Sequence, residues 1–234
     1  NIKIEIEKTA KALAGQSFEV YVINTTHPRI NVPAVYTIVP GAHFRERAKG
    51  ASVPFFAAKM LAAQDDLEAA AAGLDRLNSL YPNSYFLNFY QGQILLNQGR
   101  AAEAAGLLRS ALEMDPLVED QAGILTYLGL AYQQMEDFSR AIEVLKRSAG
   151  LDDERRDTFN LLGFCYFKTK EHEKAIACFE KVLEIDPGSG IDYANIGSNY
   201  RELGNRHEAA EYYRRALELD SSLDWVRENL EKLG

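Results

Sequence analysis

The chain has 234 residues, with 26 Lys and Arg against 34 Asp and Glu for a formal charge of −8, and it is 47% hydrophobic and 26% charged. That is the composition of an ordinary globular protein, long enough to bury a sizeable core. The acidic balance excludes a nucleic-acid-binding surface spread over the whole chain. Two cysteines exclude a disulfide-stapled scaffold, and the lack of any run of 18 apolar residues excludes a membrane-spanning helix. The charge is uneven: Lys3, Lys8, Lys11, Arg29, Arg45, Arg47 and Lys49 outnumber Glu5, Glu7, Glu19 and Glu46 by three within residues 1–50, which leaves −11 of the total −8 on the remainder. Four of the seven prolines also fall before residue 55. Two parts of different architecture are therefore expected. The chain starts at Asn1 with no signal-peptide pattern, which suggests a piece of something longer.

In chain order, residues 2–14 combine Ile2, Ile6 and Leu13 with alanines and lysines, predicting a short amphipathic helix that ends at Gly15. The alternation Ile2-Lys3-Ile4-Glu5-Ile6 fits a strand as well. Phe18–Ile23 and Pro33–Val39 are rich in β-branched and aromatic residues and predict two strands joined by the loop-like link Asn24–Val32. A helix and two strands are too little for an independent domain, so residues 1–50 are expected to be the last piece of a larger α/β fold. The stretch Val20-Tyr21-Val22-Ile23-Asn24-Thr25-Thr26-His27-Pro28, followed by Asn31-Val32-Pro33-Ala34-Val35-Tyr36-Thr37-Ile38-Val39-Pro40-Gly41, resembles the closing segment of YcaO-family proteins. The resemblance implies ATP-dependent activation of a peptide amide oxygen, or an accessory role in ribosomal protein modification. The family's ATP- and magnesium-binding acidic residues lie upstream of this segment, so none of those roles falls on a residue here. Azoline-forming members end in a proline-rich tail, whereas this chain continues into helices.

From residue 51 onward the sequence repeats. Leu128-Gly129-Leu130-Ala131-Tyr132, Leu162-Gly163-Phe164-Cys165-Tyr166 and Ile196-Gly197-Ser198-Asn199-Tyr200 align with their glycines 34 residues apart. Ala141, Ala175 or Ala209 follows each glycine after twelve residues, and Leu145, Phe179 or Tyr213 four residues later. Gly92 lies 37 residues before Gly129, which places an insertion of three residues around Pro116–Gln121, and Ala58 holds the glycine position one unit earlier. The pattern resembles the tetratricopeptide repeat, which implies a unit of two antiparallel helices. Small residues belong where the two helices cross most closely, and large ones fill the space between successive units. Five units are expected, over 51–84, 85–118, 122–155, 156–189 and 190–223, closed by a polar capping helix over 222–233 that shields the last apolar face. The fold class is mainly α: a helix-turn-helix solenoid preceded by a small α/β segment.

Arrays of this kind line a concave face with the first helix of each unit, and peptides bind there in extended or helical form. The groove positions of the register select Phe55, Lys59, Phe89, Gln93, Asn97, Gln133, Asn160, Phe164, Phe167, Lys168 and Arg201, with Thr126 and Ala194 at equivalent places. Phenylalanines can seat apolar anchors, and amides can satisfy a peptide backbone. The carboxylate clamp of chaperone-binding repeat proteins is not matched: Asp157 and Leu161, or Ile191 and Asn195, stand where it needs cations, so a C-terminal Glu-Glu-Val-Asp ligand is disfavoured. There is no G-x-x-x-x-G-K-[ST] loop or Gly-x-Ser-x-Gly elbow, and histidines 27, 43, 172 and 207 are dispersed. Cys165 and Cys178 are expected as buried reduced thiols. The expectation is a cytoplasmic, non-enzymatic interaction module with no catalytic residue, cofactor or metal, whose partner is a protein or peptide rather than nucleic acid or membrane. Two other readings are a substrate-recruiting C-terminal part of a YcaO-like ATP-dependent enzyme or its accessory, and a self-associating assembly scaffold.

Overall fold

The computed structural model describes residues 21–24, 35–38 and 53–233 and divides the chain into two units, Asn1–Phe56 and Ala57–Gly234. In the first, strands β1 (Tyr21–Asn24) and β2 (Val35–Ile38) pair antiparallel, with Tyr21 opposite Ile38 and Asn24 opposite Val35. Both strands are made largely of β-branched and aromatic residues, which fit a pleated ladder. The helix expected over 2–14 and the link over 25–32 lie outside the described residues.

The helices, in order, are α1 (Val53–Ala62), α2 (Leu67–Leu80), α3 (Tyr85–Asn97), α4 (Ala101–Glu113), α5 (Val118–Gln134), α6 (Phe138–Leu151), α7 (Arg156–Lys168), α8 (His172–Ile185), α9 (Gly190–Glu202), α10 (Arg206–Leu219) and α11 (Asp224–Glu231). Each second helix buries one stripe at helical spacing, as with Ala141, Val144, Leu145 and Ser148 of α6, or Ala175, Ile176, Phe179 and Val182 of α8. The first helices are enclosed on more sides: α5 buries nine residues, including Ile124, Leu125, Leu128 and Tyr132. Sequential helices pack in antiparallel pairs, and successive first helices also approach one another, α3 with α5 and α5 with α7.

The repeated glycines sit at those crossings. A Cβ on Gly92 would lie 2.9 Å from Leu108, on Gly129 2.4 Å from Leu145, on Gly163 2.6 Å from Phe179, and on Gly197 2.8 Å from Tyr213. Each partner is the large residue sixteen positions later in the same unit, so the glycine spacing records how closely α3 meets α4, α5 meets α6, α7 meets α8 and α9 meets α10.

The turns within units are equally regular. Gly99, Glu136, Lys170 and Gly204 all have positive φ, between 57° and 81°. In each turn the following residue donates its N–H five residues back, as Arg100 to Leu95 O and Glu171 to Tyr166 O, both at 2.8 Å. This is the Schellman ending of a helix, whose left-handed position favours glycine. The turns between units use aspartate. The backbone N–H groups of Asp152, Asp186 and Asp220 close α6, α8 and α10, while their side chains accept from Glu154 N, Gly188 N and Ser222 N. A carboxylate at a helix C-terminus opposes the macrodipole, and here the turn hydrogen bonds account for it.

The three-residue insertion expected around Pro116–Gln121 is helical. Helix α5 has 17 residues against 13 in α3, α7 and α9, and it begins at Val118, a turn earlier than the register of its neighbours. Pro116 and Leu117 occupy a connection of the usual length, and Glu119, Asp120 and Gln121 favour the extra turn as helix formers and first-turn acids.

Candidate functional site

Three depressions follow one another along the first-helix face. The first, about 480 Å³, is lined by Lys59 and Ala62 of α1, Phe89, Gln93 and Asn97 of α3, and Glu119, Asp120, Gly123 and Tyr127 of α5, with Arg155 reaching in from the start of α7. The second, about 290 Å³, lies between α5 and α7 and is lined by Thr126, Tyr127, Leu130, Arg155, Asp157, Asn160 and Leu161. The third, about 530 Å³, lies between α7 and α9 and is lined by Gln133, Asn160, Leu161, Phe164, Phe167, Lys168, Ile191 and Trp225. The first two share Tyr127 and Arg155, and the second and third share Asn160 and Leu161, so the three form one trough. A separate depression of about 310 Å³ opens on the outer side, between α4 and α6, around Arg109, Tyr132, Arg140 and Arg147.

The structure brings nine of the eleven sequence-selected residues to the trough: Lys59, Phe89, Gln93, Asn97, Gln133, Asn160, Phe164, Phe167 and Lys168. Phe89 meets Tyr127 edge to face with centroids 5.5 Å apart, and the Lys168 ammonium sits 5.3 Å over the Phe164 ring. Phe164, Ile191 and Trp225 keep 36%, 46% and 38% of their surface exposed, which leaves an apolar strip open in the third depression. Phe55, in the first unit, packs edge to face on Phe56 at 6.0 Å. Arg201 is engaged by the capping helix: it donates to Asn229 Oδ1 at 2.6 Å and pairs with Glu202 at 2.8 Å.

Two groove positions of the register are buried, although Thr126 also lines the second depression. Ala194 is fully buried. Thr126 is buried in a hydroxyl cluster: both Thr126 and Ser148 donate to Ala122 O, at 2.9 and 2.8 Å, and Thr158 lies 2.8 Å from Thr126 Oγ1. The cluster joins α5, α6 and α7, so Thr126 serves the unit junction.

Tyr127, Gly123, Arg155 and Trp225 were missed by sequence reasoning. Trp225 stands 34 residues after Ile191, so the repeat spacing itself would have placed it on the groove line had α11 been treated as the first helix of a further unit. Arg155 lies at the edge of the register, where periodicity carries no information about side-chain direction.

The phenols of Tyr90 and Tyr127, which line the trough, and of Tyr85, which donates to the trough's Asp120, stay protonated. Burial pushes Tyr90 up to about 12 and raises Tyr127, while burial and then the hydrogen bond to Asp120 Oδ2 at 2.6 Å raise Tyr85. They act as neutral hydrogen-bonding groups at neutral pH. Cys165 and Cys178 are free thiols, each pushed up to about 11 by burial. Among the described residues no three His, Cys, Asp or Glu gather as a metal site, and no helix is long and apolar enough to cross a membrane.

Comparison with known proteins places this architecture. Residues 57–118 and 154–222 match tetratricopeptide-repeat family models, and residues 119–182 match the model for anaphase-promoting complex, cyclosome, subunit 3. The array is therefore built of tetratricopeptide repeats. Among curated relatives, anaphase-promoting complex subunit CDC23 of Saccharomyces cerevisiae is 27% identical over 145 residues, covering 62% of this chain and 23% of the relative. The peroxisomal targeting signal receptor of the same yeast is 30% identical over 69 residues, covering 30% of this chain and 11% of the relative. The chain spans about a quarter of the length of the first of these and of anaphase-promoting complex subunit 3 from Schizosaccharomyces pombe. Among solved structures, YrrB, described as a TPR protein with an unusual peptide-binding site, superposes with a TM-score of 0.65 at 21% identity, covering 74% of this chain and 88% of YrrB. MamA gives 0.61 at 28% identity, covering 67% and 90%. The matched family models begin at residue 57, and nothing in them bears on the likeness of residues 20–41 to YcaO-family proteins.

Proposed function

We propose that the array is a protein-interaction module that holds a peptide or partner segment in the trough along its first helices. The observation that carries this reading is the continuity of the three depressions through shared residues, with apolar seats at Phe89, Phe164, Ile191 and Trp225 and amides at Gln93, Asn97, Gln133 and Asn160 between them. Such a lining takes apolar side chains and satisfies main-chain donors and acceptors at once. In this reading the units run over 51–84, 85–118, 122–155, 156–189 and 190–223. The YrrB likeness and the receptor and assembly subunits among the relatives support a binding role over an enzymatic one. They give no support to a YcaO-like ATP-dependent parent.

The test is the double substitution Phe89→Ala with Phe164→Ala, assayed against peptides selected on the wild-type array from a displayed random library. Covering the exposed parts of two phenyl rings is worth about 1 kcal/mol each, so affinity should fall at least about tenfold. Undiminished binding to the folded double variant sinks the groove reading.

A further inference from the structure

The charged residue common to the first two depressions is Arg155, and the chemistry there is incomplete. Arg155 occupies the N-cap position of α7. Its guanidinium reaches across Gly123 of α5, where a Cβ would stand 3.9 Å from one terminal nitrogen and 4.0 Å from the other. Its Nε is closed to solvent and makes no hydrogen bond, with Asp152 Oδ2 3.2 Å away, so the terminal nitrogens are the donors an incoming group could reach. That contact is the one ion pair of Arg155 among the described residues, and the neighbouring Arg156 is already bound to Asp186 at 2.7 Å. Glu119, Asp120 and Asp157 line the same stretch without reaching ion-pair distance of it, and Asp120 accepts from Tyr85. A partly enclosed guanidinium with unused donors gains most from an incoming acceptor. Its planar fork matches a carboxylate with two parallel hydrogen bonds. Lys59 adds a second cation to the first depression.

We propose that Arg155 is the specificity anchor of the trough and receives the carboxylate of an internal Asp or Glu in the bound peptide. The residue is internal because the trough continues on both sides of Arg155, toward Phe89 and toward Leu161, so a chain filling both depressions passes the guanidinium rather than ending on it. This inference rests on the groove reading and adds the chemistry of the partner.

The probe is the same pool of displayed random peptides, selected on the wild-type array, with single peptides then made in free and amidated C-terminal forms and as Asp→Asn or Glu→Gln analogues. The wild-type pool should be enriched in an internal acidic residue flanked by apolar ones. The amide analogue and the Arg155→Gln variant should each weaken binding about tenfold, with no further loss on combining them, because both delete one contact. Arg155→Lys, which keeps the charge without the fork, should fall between, and circular dichroism reports whether each variant is folded. The anchor is overturned if the selected peptides carry no acidic preference, if Arg155→Gln and Arg155→Lys bind as the wild type does, or if C-terminal amidation abolishes binding. Failure of the groove itself reads differently: peptides, acidic or not, would bind the Phe89→Ala, Phe164→Ala variant undiminished.

Discussion

Replacing Gly129 by alanine should destabilise the array, although alanine is the better helix former. The new Cβ would stand 2.4 Å from Leu145 Cγ and 2.5 Å from its Cδ2, inside contact distance of a side chain that is fully buried between α5 and α6. Leu145 cannot rotate away without entering the neighbouring core, and such overpacking costs about 1–3 kcal/mol. A contact this short places the cost at the upper end, about 3 kcal/mol. Against this, Gly→Ala in a helix interior gains about 1 kcal/mol. The net loss is about 2 kcal/mol, or a drop of roughly 4–8 °C in midpoint for a chain of this size. Gly106 supplies the control: it is also within a helix, α4, but an added Cβ meets nothing within 4 Å. Gly106→Ala should therefore keep the propensity gain and stabilise by about 0.5–1 kcal/mol. Thermal and urea unfolding followed by far-ultraviolet circular dichroism measure both. Gly129→Ala proving as stable as the wild type would refute the close-crossing account of the repeated glycines.

The other predictions concern the turns and the thiols. Glu136 and Lys170 hold the left-handed turn position with φ of 57° and 62°, where Gly99 and Gly204 stand in the flanking units; Lys170→Gly and Glu136→Gly should each raise the urea midpoint, by about 1 kcal/mol of relieved backbone strain, and a lowered midpoint would contradict the turn assignment. Folding raises the pKa of Cys165 and Cys178 from 9.0 to about 11, so the folded state holds their protons where the unfolded chain has released them. Their contribution is therefore complete below pH 9 and is lost as the pH rises toward 11; Cys165→Ala with Cys178→Ala should flatten the fall in unfolding free energy over that window, and an unchanged slope would show the thiols to be open to solvent. In the native protein at neutral pH both thiols should react slowly with a disulfide reagent and quickly once urea is added.

The helical architecture was legible because its causes are local and periodic. Glycine every 34 residues, with a large residue sixteen later, records a crossing that recurs in each unit, and the same register led to Phe89, Gln93, Asn160 and Phe164 on the trough. What escaped depends on neighbours remote in sequence or on breaks in the period. Thr126 is tied into the unit junction because Ser148 and Thr158, 22 and 32 residues away, offer hydroxyl partners. The insertion after Pro116 lengthens α5 because its residues favour helix, a choice that spacing alone does not make. Glu136 and Lys170 occupy a glycine conformation without glycine, so the turn left no mark at those two positions. Arg155 and Trp225 enter the trough from unit edges, where side-chain direction is set by packing against the next unit.

The most direct test of the central claim is to place a bound peptide on the surface. A selected peptide bearing a benzophenone side chain, irradiated on the wild-type array and mapped by mass spectrometry, should attach to trough residues such as Phe89, Tyr127, Leu130, Phe164 or Trp225. Attachment instead around Arg109, Tyr132 and Arg147, on the outer side between α4 and α6, would contradict it.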